Sequence, residues 1–372
     1  MQIHAVLMII SASLSLGVMA ESPSSKTKIE KKTNSICHGY SGQALNLKGV
    51  KLQRESSIEL SYDGYNNLEG PVWIDDALYY SNIGNRTDAD TGQWLNNQTT
   101  IWRWQPGTKP EVWLTHSTAG TNGMAVDADG HLVVARHLDG SISRINTQDK
   151  SISLVADHYQ GKRFNSPNDL VVASEGSVYF TDPDWNVPNT VDSSTLLGGA
   201  EQHIYHVSDD GQVTRTNATK LVPELMDKPN GITLSIDESK LYVAGRKGLW
   251  SFNTHNNTLS QPKQLMDSPI DGLGRDCAGN IYITTTKQID DTYKQVISIL
   301  NAADELVGDI EVPAIQIVTN VAFGGVDRKT LFVTSLTVPK NDAGTGPRRC
   351  GDTDCVPASI FSVKLNVPGY PY

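Results

Sequence analysis

The stretch NDLVVASEGSVYFTDP, residues 168–183, decides the fold because it joins a β-hairpin pattern to a polar start. Two apolar runs, 170–172 and 178–180, flank a turn at Glu175–Gly176, which predicts a pair of antiparallel strands. The first of these strands follows directly on Asn168 and Asp169. When a buried strand begins on two polar residues, the pattern indicates that their side-chain oxygen atoms have a function at that end of the strand.

The same design recurs along the chain, with starts spaced by 41 to 62 residues. Such a period is typical of four-stranded propeller blades. A third apolar strand follows in each repeat, as in TIWRW (100–104), and no long segment shows a helical apolar period. The sequence therefore predicts an all-β, six-bladed β-propeller of four-stranded blades. The residues that open the six repeats are Glu69, Asn122, Asn168, Asn230, Asp271 and Asn320.

One strand, SIELSY at 57–62, precedes the first repeat and has no blade of its own. We expect it to complete the blade that begins at Asn320, so that the N- and C-terminal strands close the ring together. The propeller domain is expected over residues 50–372.

The N-terminal region has the pattern of an export signal. Residues 1–20 carry an apolar core at 5–18 and end on small residues, which predicts a cleaved signal peptide. An uncleaved anchor stays open, because no Lys or Arg precedes the core. Residues 21–49 form a leader segment, and the mature protein is expected in the periplasm or outside the cell, with no membrane contact after cleavage.

The net charge and the cysteines limit the partners and the kinds of site that the protein can have. A net charge of -10 without a basic run argues against nucleic acid as a partner. Four cysteines in an exported chain permit disulfides. Cys350 and Cys355 could close a small loop, which leaves Cys37 with Cys277 by elimination only. No paired C-x-x-C spacing points to a zinc site instead.

The residues that open the repeats should meet at one mouth of the central channel, since the innermost strands of a propeller line it. They comprise two carboxylates and four amides, and hard oxygen ligands suit calcium. No thiolate or imidazole stands among them, which disfavours zinc and copper. The other interpretation is that Asn-Gly and Asp-Gly pairs simply make good turns.

Several of these motifs resemble one known family. LEGPVW, FNSPNDLVV, VYFTDP, KPNGITLS and DGLGRDCAGNIYIT are similar to the senescence marker protein/gluconolactonase/luciferin-regenerating enzyme family, over about residues 56–366. The resemblance implies a six-bladed propeller that hydrolyses a small-molecule lactone. It implies one divalent cation, most often Ca²⁺, with Zn²⁺, Mg²⁺ and Mn²⁺ as alternatives. The metal ligands that it implies are Glu69, Asn168, Asn230 and Asp271.

The residues around this expected site allow a hydrolytic mechanism without a serine nucleophile, since the chain has no G-x-S-x-G elbow. A bound cation polarises an ester carbonyl and lowers the pKa of a coordinated water. Asp271 is the first candidate for the general base. His137 is the second, because the more distant paraoxonase family, which this design also resembles, uses a histidine at the matching place.

Other residues of the expected mouth are candidates for substrate binding. Arg163 and Asn165 lie just ahead of the third repeat, and Asn122 and Asn168 open two repeats. Two long insertions, 84–98 and 184–202, bring Trp94 and Trp185 as possible covers for a sugar-like ring.

Two other functions stay open at this point. Related propellers hydrolyse phosphotriesters or fluorophosphates over the same kind of calcium site. A secreted ligand-binding propeller with a purely structural calcium is the non-enzymatic alternative.

Overall fold

The computed structural model describes most of the chain beyond its N-terminal region. The described residues are 36–58, 66–83, 99–116, 120–185, 187, 191, 196, 201–313, 316–339 and 355–371. The predicted signal peptide, the insertion 84–98 with Trp94, most of the insertion 184–202, and Cys350 lie outside them.

The described elements are almost all β-strands. They are β1 (Gln53–Ser57), β2 (Leu68–Ile74), β3 (Ala77–Asn82), β4 (Thr99–Trp104), β5 (Glu111–His116), β6 (Thr121–Val126), β7 (Leu132–Arg136), β8 (Ser141–Ile145), β9 (Ile152–Ala156), β10 (His158–Tyr159), β11 (Lys162–Arg163), β12 (Leu170–Val172), β13 (Val178–Asp182), β14 (His203–Val207), β15 (Val213–Arg215), β16 (Pro229–Leu234), β17 (Lys240–Gly245), β18 (Gly248–His255), β19 (Thr258–Met266), β20 (Ile270–Arg275), β21 (Ile281–Ile289), β22 (Thr292–Leu300), β23 (Leu306–Glu311), β24 (Ile317–Gly324), β25 (Thr330–Leu336), β26 (Val338–Pro339), β27 (Cys355–Val356) and β28 (Ser359–Lys364). One helical turn, Ala218–Leu221, and a 3₁₀ turn, Pro223–Met226, link β15 to β16. Within these residues, no helix has the length and apolar character needed to cross a membrane.

Most of the strands form six four-stranded antiparallel sheets, which confirms the predicted six-bladed propeller, while β10–β11 and β26–β27 form two separate pairs. In blade order the sheets are β2–β3–β4–β5, β6–β7–β8–β9, β12–β13–β14–β15, β16–β17–β18–β19, β20–β21–β22–β23 and β24–β25–β28–β1. The first strand of each sheet contacts the first strands of its two neighbours, so β2, β6, β12, β16, β20 and β24 surround the central channel.

Both chain ends contribute to the sixth blade, as predicted. The strand β1 pairs with β28 as the outermost strand. It covers Gln53–Ser57, however, and lies earlier in the chain than the predicted 57–62. An outermost strand faces solvent and needs no apolar alternation. The largely exposed sequence QRESS therefore forms it, although SIELSY has the clearer strand pattern.

The apolar core is divided among the interfaces between blades. Six clusters of buried side chains each combine residues of two neighbouring blades. Blades one and six meet, for example, through Trp73 stacked on Phe332, with ring centroids 5.2 Å apart. This packing fixes the inner strands against one another and thereby fixes the channel.

A disulfide attaches the segment before the first strand to the propeller. Cys37 is bonded to Cys277, which confirms the pairing expected by elimination. The neighbouring side chains of Ile36, Tyr40 and Leu45 pack with Cys277 against the same face. Cys355 is also disulfide-bonded.

Candidate active site

Irregular pairing at the inner strands aims polar side chains into the channel. In five blades the register between the first two strands shifts at the polar opening residue, as between Glu69 and Val72 or between Ile270 and Leu273. Such bulges bend a strand and redirect its side chains. In the third blade, β12 begins only after Asn168 and Asp169, and Thr181 bonds the backbone of both.

Glycines let neighbouring inner strands approach closely at this level. A Cβ at Gly70 would lie 2.4 Å from the carbonyl oxygen of Asn122, and one at Gly231 would lie 2.3 Å from that of Asp271. At Gly272 a Cβ would meet the side-chain oxygen of Asn320 at 2.2 Å. The glycine after the polar residue is therefore required by the ring, because real Cβ atoms do not approach so closely.

Hydroxyl groups on second strands fix the backbone of the next blade. The Ser81 hydroxyl donates to the carbonyl oxygen of Asn122 at 2.7 Å, and the Thr181 hydroxyl donates to that of Asn230 at 2.8 Å. Thr284 reaches the carbonyl of Thr319 in the same way, also at 2.8 Å. These bonds hold the inner-strand ends in place around the ring.

Three carboxylates come together in the channel: Glu69, Asp169 and Asp271. Burial raises the pKa of Asp169 to about 7. Burial and the nearby charge of Asp169 raise the pKa of Asp271 to about 7. Burial, Asp271 and Asp169 together hold the pKa of Glu69 well above its usual range. Without a bound cation these carboxylates would therefore resist ionisation, since burial and like charge both disfavour the anion.

Two amides hydrogen-bond to the carboxylates. The Asn320 side chain donates to Asp169 Oδ2 at 3.3 Å, and it also stabilises the charge of Glu69. The Asn230 side chain does the same for Asp271. The structure thus brings together Glu69, Asn230 and Asp271 of the predicted ligands, and adds Asp169 and Asn320 to them.

This donor set fits a hard divalent cation. The charged groups that shift the pKa values of Glu69, Asp169 and Asp271 are other carboxylates, with no Lys or Arg side chain among them. Buried carboxylates need a counter-charge, and calcium accepts carboxylate and amide oxygens together. No three His, Cys, Asp or Glu side chains of the described residues are arranged as a metal site by themselves. Amides such as Asn230 and Asn168 would therefore have to complete the shell.

The remaining opening residues lie at the same level of the channel. Asn168 is buried, and its backbone N–H and C=O bond to Thr181 and to Gly123 of the second blade. Asn122 is buried as well, with its carbonyl held by Ser81.

The other candidates, His137, Arg163 and Asn165, form a separate group between blades two and three. His137 is 2% exposed, and its Nδ1 has no hydrogen-bond partner among the described residues. Burial, with a smaller effect of the Arg163 charge, lowers the pKa of His137 to about 3. The ring is therefore neutral at pH 7 and able to accept a proton, although it is a weak base.

Arg163 and Asn165 are held by backbone groups. The Arg163 guanidinium donates to the carbonyls of Phe164, Asn165 and Leu138, at 2.5 to 2.7 Å. The Asn165 amide donates to the Glu201 carbonyl at 2.9 Å, and Asn165 is fully buried. These contacts shape the segment that leads into Asn168 and Asp169.

A small cavity continues the channel away from the carboxylates. Its volume is about 60 Å³, and apolar inner-strand side chains such as Leu170, Ile232 and Val321 line it. Asp169 and Asn320 reach it as well, so they mark the boundary between the polar cluster and the apolar channel.

Asp169 does not open a repeat and was not among the residues predicted for the site. A signal for it exists in the repeats. The position after the opening residue is glycine in four of them, whereas the third repeat has Asp169 and the sixth has Val321. A carboxylate at a position otherwise kept free of side chains is a functional candidate.

Comparisons with known proteins agree with this architecture. A family model described as SMP-30/Gluconolactonase/LRE-like region matches residues 68–337. Gluconolactonase from Zymomonas mobilis is 30% identical over 237 residues, which cover 58% of this chain and 63% of that protein. The chain thus matches less than two thirds of the length of this relative.

Two solved structures share the fold. One is a gluconolactonase from Xanthomonas campestris, 25% identical with a TM-score of 0.61, covering 86% of this chain and 91% of that one. The other is regucalcin from Agrobacterium tumefaciens, a calcium-binding protein, 16% identical with a TM-score of 0.53, covering 82% and 92%. Because the family model matches more than half of its length, this chain belongs to the SMP-30/gluconolactonase/LRE-like family.

Proposed function

We propose that this protein is a metal-dependent lactonase that opens a sugar lactone or another small lactone. The observation that carries the proposal is the meeting of Glu69, Asp169 and Asp271 in the channel with amides for partners. Relatives named gluconolactonase support the substrate class. The name of the calcium-binding relative supports calcium as the cation.

Glu69, Asn168, Asn230 and Asp271 are the proposed ligands, and Asp169 contributes a further negative charge beside them. A bound cation would polarise the lactone carbonyl and make an associated water more acidic. Neighbouring amide side chains orient the carboxylates for this chemistry. Asn320 orients Asp169, and Asn230 orients Asp271.

Asp271 is the proposed general base. It lies inside the carboxylate cluster, so its ionised form could accept a proton from a water beside the bound cation. His137 lies beside Gly120 and Arg163 instead. Its proposed part is to border the substrate together with Arg163, Asn165 and Asn122.

We also propose that the chain is exported, to the periplasm or outside the cell. The Cys37–Cys277 disulfide supports this, since structural disulfides persist in oxidising compartments. Mass spectrometry of the protein from its natural host should find a mature chain that begins after Ala20. An intact Met1 would contradict export by cleavage.

A substrate panel tests the function. The purified protein should hydrolyse glucono-δ-lactone and related lactones with calcium present, and a chelator should abolish the activity until calcium is restored. Higher turnover of phosphotriesters or fluorophosphates than of any lactone would assign the site to the other hydrolase class. Calcium binding without turnover of either class would indicate a ligand-binding propeller.

A further inference from the structure

An exposed tryptophan lies on the rim of the propeller beside the candidate site. Trp185 is 43% exposed, although large aromatic side chains are usually covered. Two cations lie over its ring: Lys228 Nζ is 4.5 Å from a ring centroid, and Arg246 Cζ is 5.3 Å away. Trp185, Lys228 and Arg246 are called the rim cluster below. Contacts of this kind fix the orientation of the ring.

The rim cluster stands within reach of the proposed metal ligands. Lys228 precedes Asn230 by two residues, which corresponds to roughly 7 Å along an extended strand. Trp185 and Asp184 follow the second strand of blade three, and Arg246 lies in the turn after the second strand of blade four. The connections before the inner strands and those after the second strands are on the same face of a propeller. The cluster therefore borders the mouth that leads to Asn230 and Asp271.

The Lys228 side chain is held firmly in this position. It forms an ion pair with Asp184 across the two blades and keeps only 17% exposure. Its backbone N–H donates to Gln202 at 2.9 Å. Its φ of +59° is an uncommon conformation for a residue with a side chain. Lys228 thus supports Trp185 from one side as a fixed group.

Arg246 is available for a ligand. Among the described residues its closest carboxylate is that of Asp227, at 3.7 Å, which is longer than a hydrogen bond, and its side chain is 48% exposed. The next residue, Lys247, lies at the same distance from Asp227 and is 58% exposed. Lys228, Arg246 and Lys247 thus bring three positive charges to this part of the rim, beside Asp184 and Asp227.

We propose that the rim cluster recognises an anionic group at the end of the substrate remote from the lactone carbonyl, with the exposed part of Trp185 bordering the sugar ring and Arg246 binding the anion. This rests on the proposed lactonase function and specifies its substrate class as acidic sugar lactones. An Arg guanidinium binds carboxylate and phosphate through paired hydrogen bonds, so both groups fit the site.

The test compares three lactones that differ at the remote end: glucono-δ-lactone, which is neutral there, glucaro-1,4-lactone with a carboxylate, and 6-phosphoglucono-δ-lactone with a phosphate. We expect kcat/KM of the wild type to be at least about tenfold higher for one of the anionic lactones than for the neutral one, a preference worth about 1.4 kcal/mol. The anionic lactone that is preferred identifies the group.

Arg246→Met should remove this preference by raising KM for the anionic lactone about tenfold, while KM for the neutral lactone rises by a smaller factor, through the lost contact with Trp185 alone. Lys247→Met is the matched control, because it removes the same charge from the same turn, where Lys247 has no cation–π contact with Trp185. It should leave all three lactones within twofold of the wild type. Arg246→Lys should restore the preference only in part, since an ammonium lacks the paired donors.

Two outcomes would overturn the inference while leaving the lactonase proposal intact. One is a neutral lactone that is hydrolysed as well as the anionic ones by the wild type. The other is an equal effect of the substitutions at Arg246 and Lys247, which would reduce the preference to general surface charge. Failure of the folded wild type to open any lactone would contradict the lactonase function itself.

Discussion

Asn320 and Asp169 meet across the central channel, where the Asn320 amide donates to Asp169 Oδ2 at 3.3 Å. The two residues belong to blades six and three, which are opposite each other in a ring of six. The contact therefore spans the channel at the boundary between the carboxylate cluster and the apolar cavity. A site built this way depends on the closure of the whole ring.

The cross-channel contact makes Asp169 the most informative residue to change. Asp169→Asn keeps the shape but removes one of three buried charges, and with it a repulsion on Glu69 and Asp271. We expect the metal-free protein to become more stable and calcium affinity to fall about tenfold or more. Urea unfolding in chelator and calorimetric calcium titration measure the two effects.

A control for Asp169→Asn is Asp309→Asn, which removes a charge from an outer strand where Asp309 pairs with Lys287. It should leave calcium affinity unchanged. If Asp169→Asn alters neither affinity nor metal-free stability, Asp169 does not belong to the site.

Substitutions of the two predicted anionic ligands should differ in how far added calcium restores the activity. Glu69→Gln leaves the cation less compensated in a buried site, so calcium affinity should fall at least about tenfold, with kcat recovering at high calcium. Asp271→Asn also removes the proposed general base, so kcat should stay at least about a hundredfold low even at saturating calcium. Lactone kinetics across a calcium series separate the two behaviours. Wild-type affinity and turnover in both variants would place the site elsewhere.

The carboxylate cluster predicts an unusual pH dependence of stability. Asp169 and Asp271 have pKa values of about 7 in the folded, metal-free protein, above the value of about 3.9 for an unfolded Asp. Between these values the folded state binds more protons than the unfolded state. Its free energy of unfolding therefore falls as pH rises from about 4 to 7. The ionisation of one such carboxyl group lowers the free energy of unfolding by up to about 4 kcal/mol.

Urea unfolding from pH 5 to 8, with chelator or with saturating calcium, tests this dependence. The chelated protein should lose stability as the pH rises from 5 to about 7 and level off toward pH 8, and calcium should cancel the loss because it compensates the ionised carboxylates. Parallel curves with and without calcium would show that the cation does not bind at the cluster.

The sequence predicted the blades well because each blade is a local unit. Adjacent strands alternate with short turns, so the six repeats indicated both the number of blades and their inner strands. The outermost strand of blade six was misplaced because a solvent-facing edge such as Gln53–Ser57 carries no apolar pattern. The Cys37–Cys277 pairing could be expected by elimination, but the way residues 36–50 pack on the propeller could not.

The candidate site was less predictable because its contacts join distant parts of the chain. One polar residue per repeat located Glu69, Asn230 and Asp271, but it overlooked the second polar residue of the third repeat, Asp169. The bond from Asn320 to Asp169 joins residues 151 positions apart and depends on ring closure. No pattern within a single repeat predicts a contact between two residues so far apart in the sequence.

Calcium titration of the metal-free protein tests the central claim most directly when binding is measured by calorimetry and lactone hydrolysis is measured in parallel. We predict binding at one site per chain, with hydrolysis rising in proportion to its occupancy and disappearing again on chelation. Full hydrolysis by the metal-free protein, or saturation with calcium without any change in hydrolysis, would contradict a lactonase built on the carboxylates of this channel.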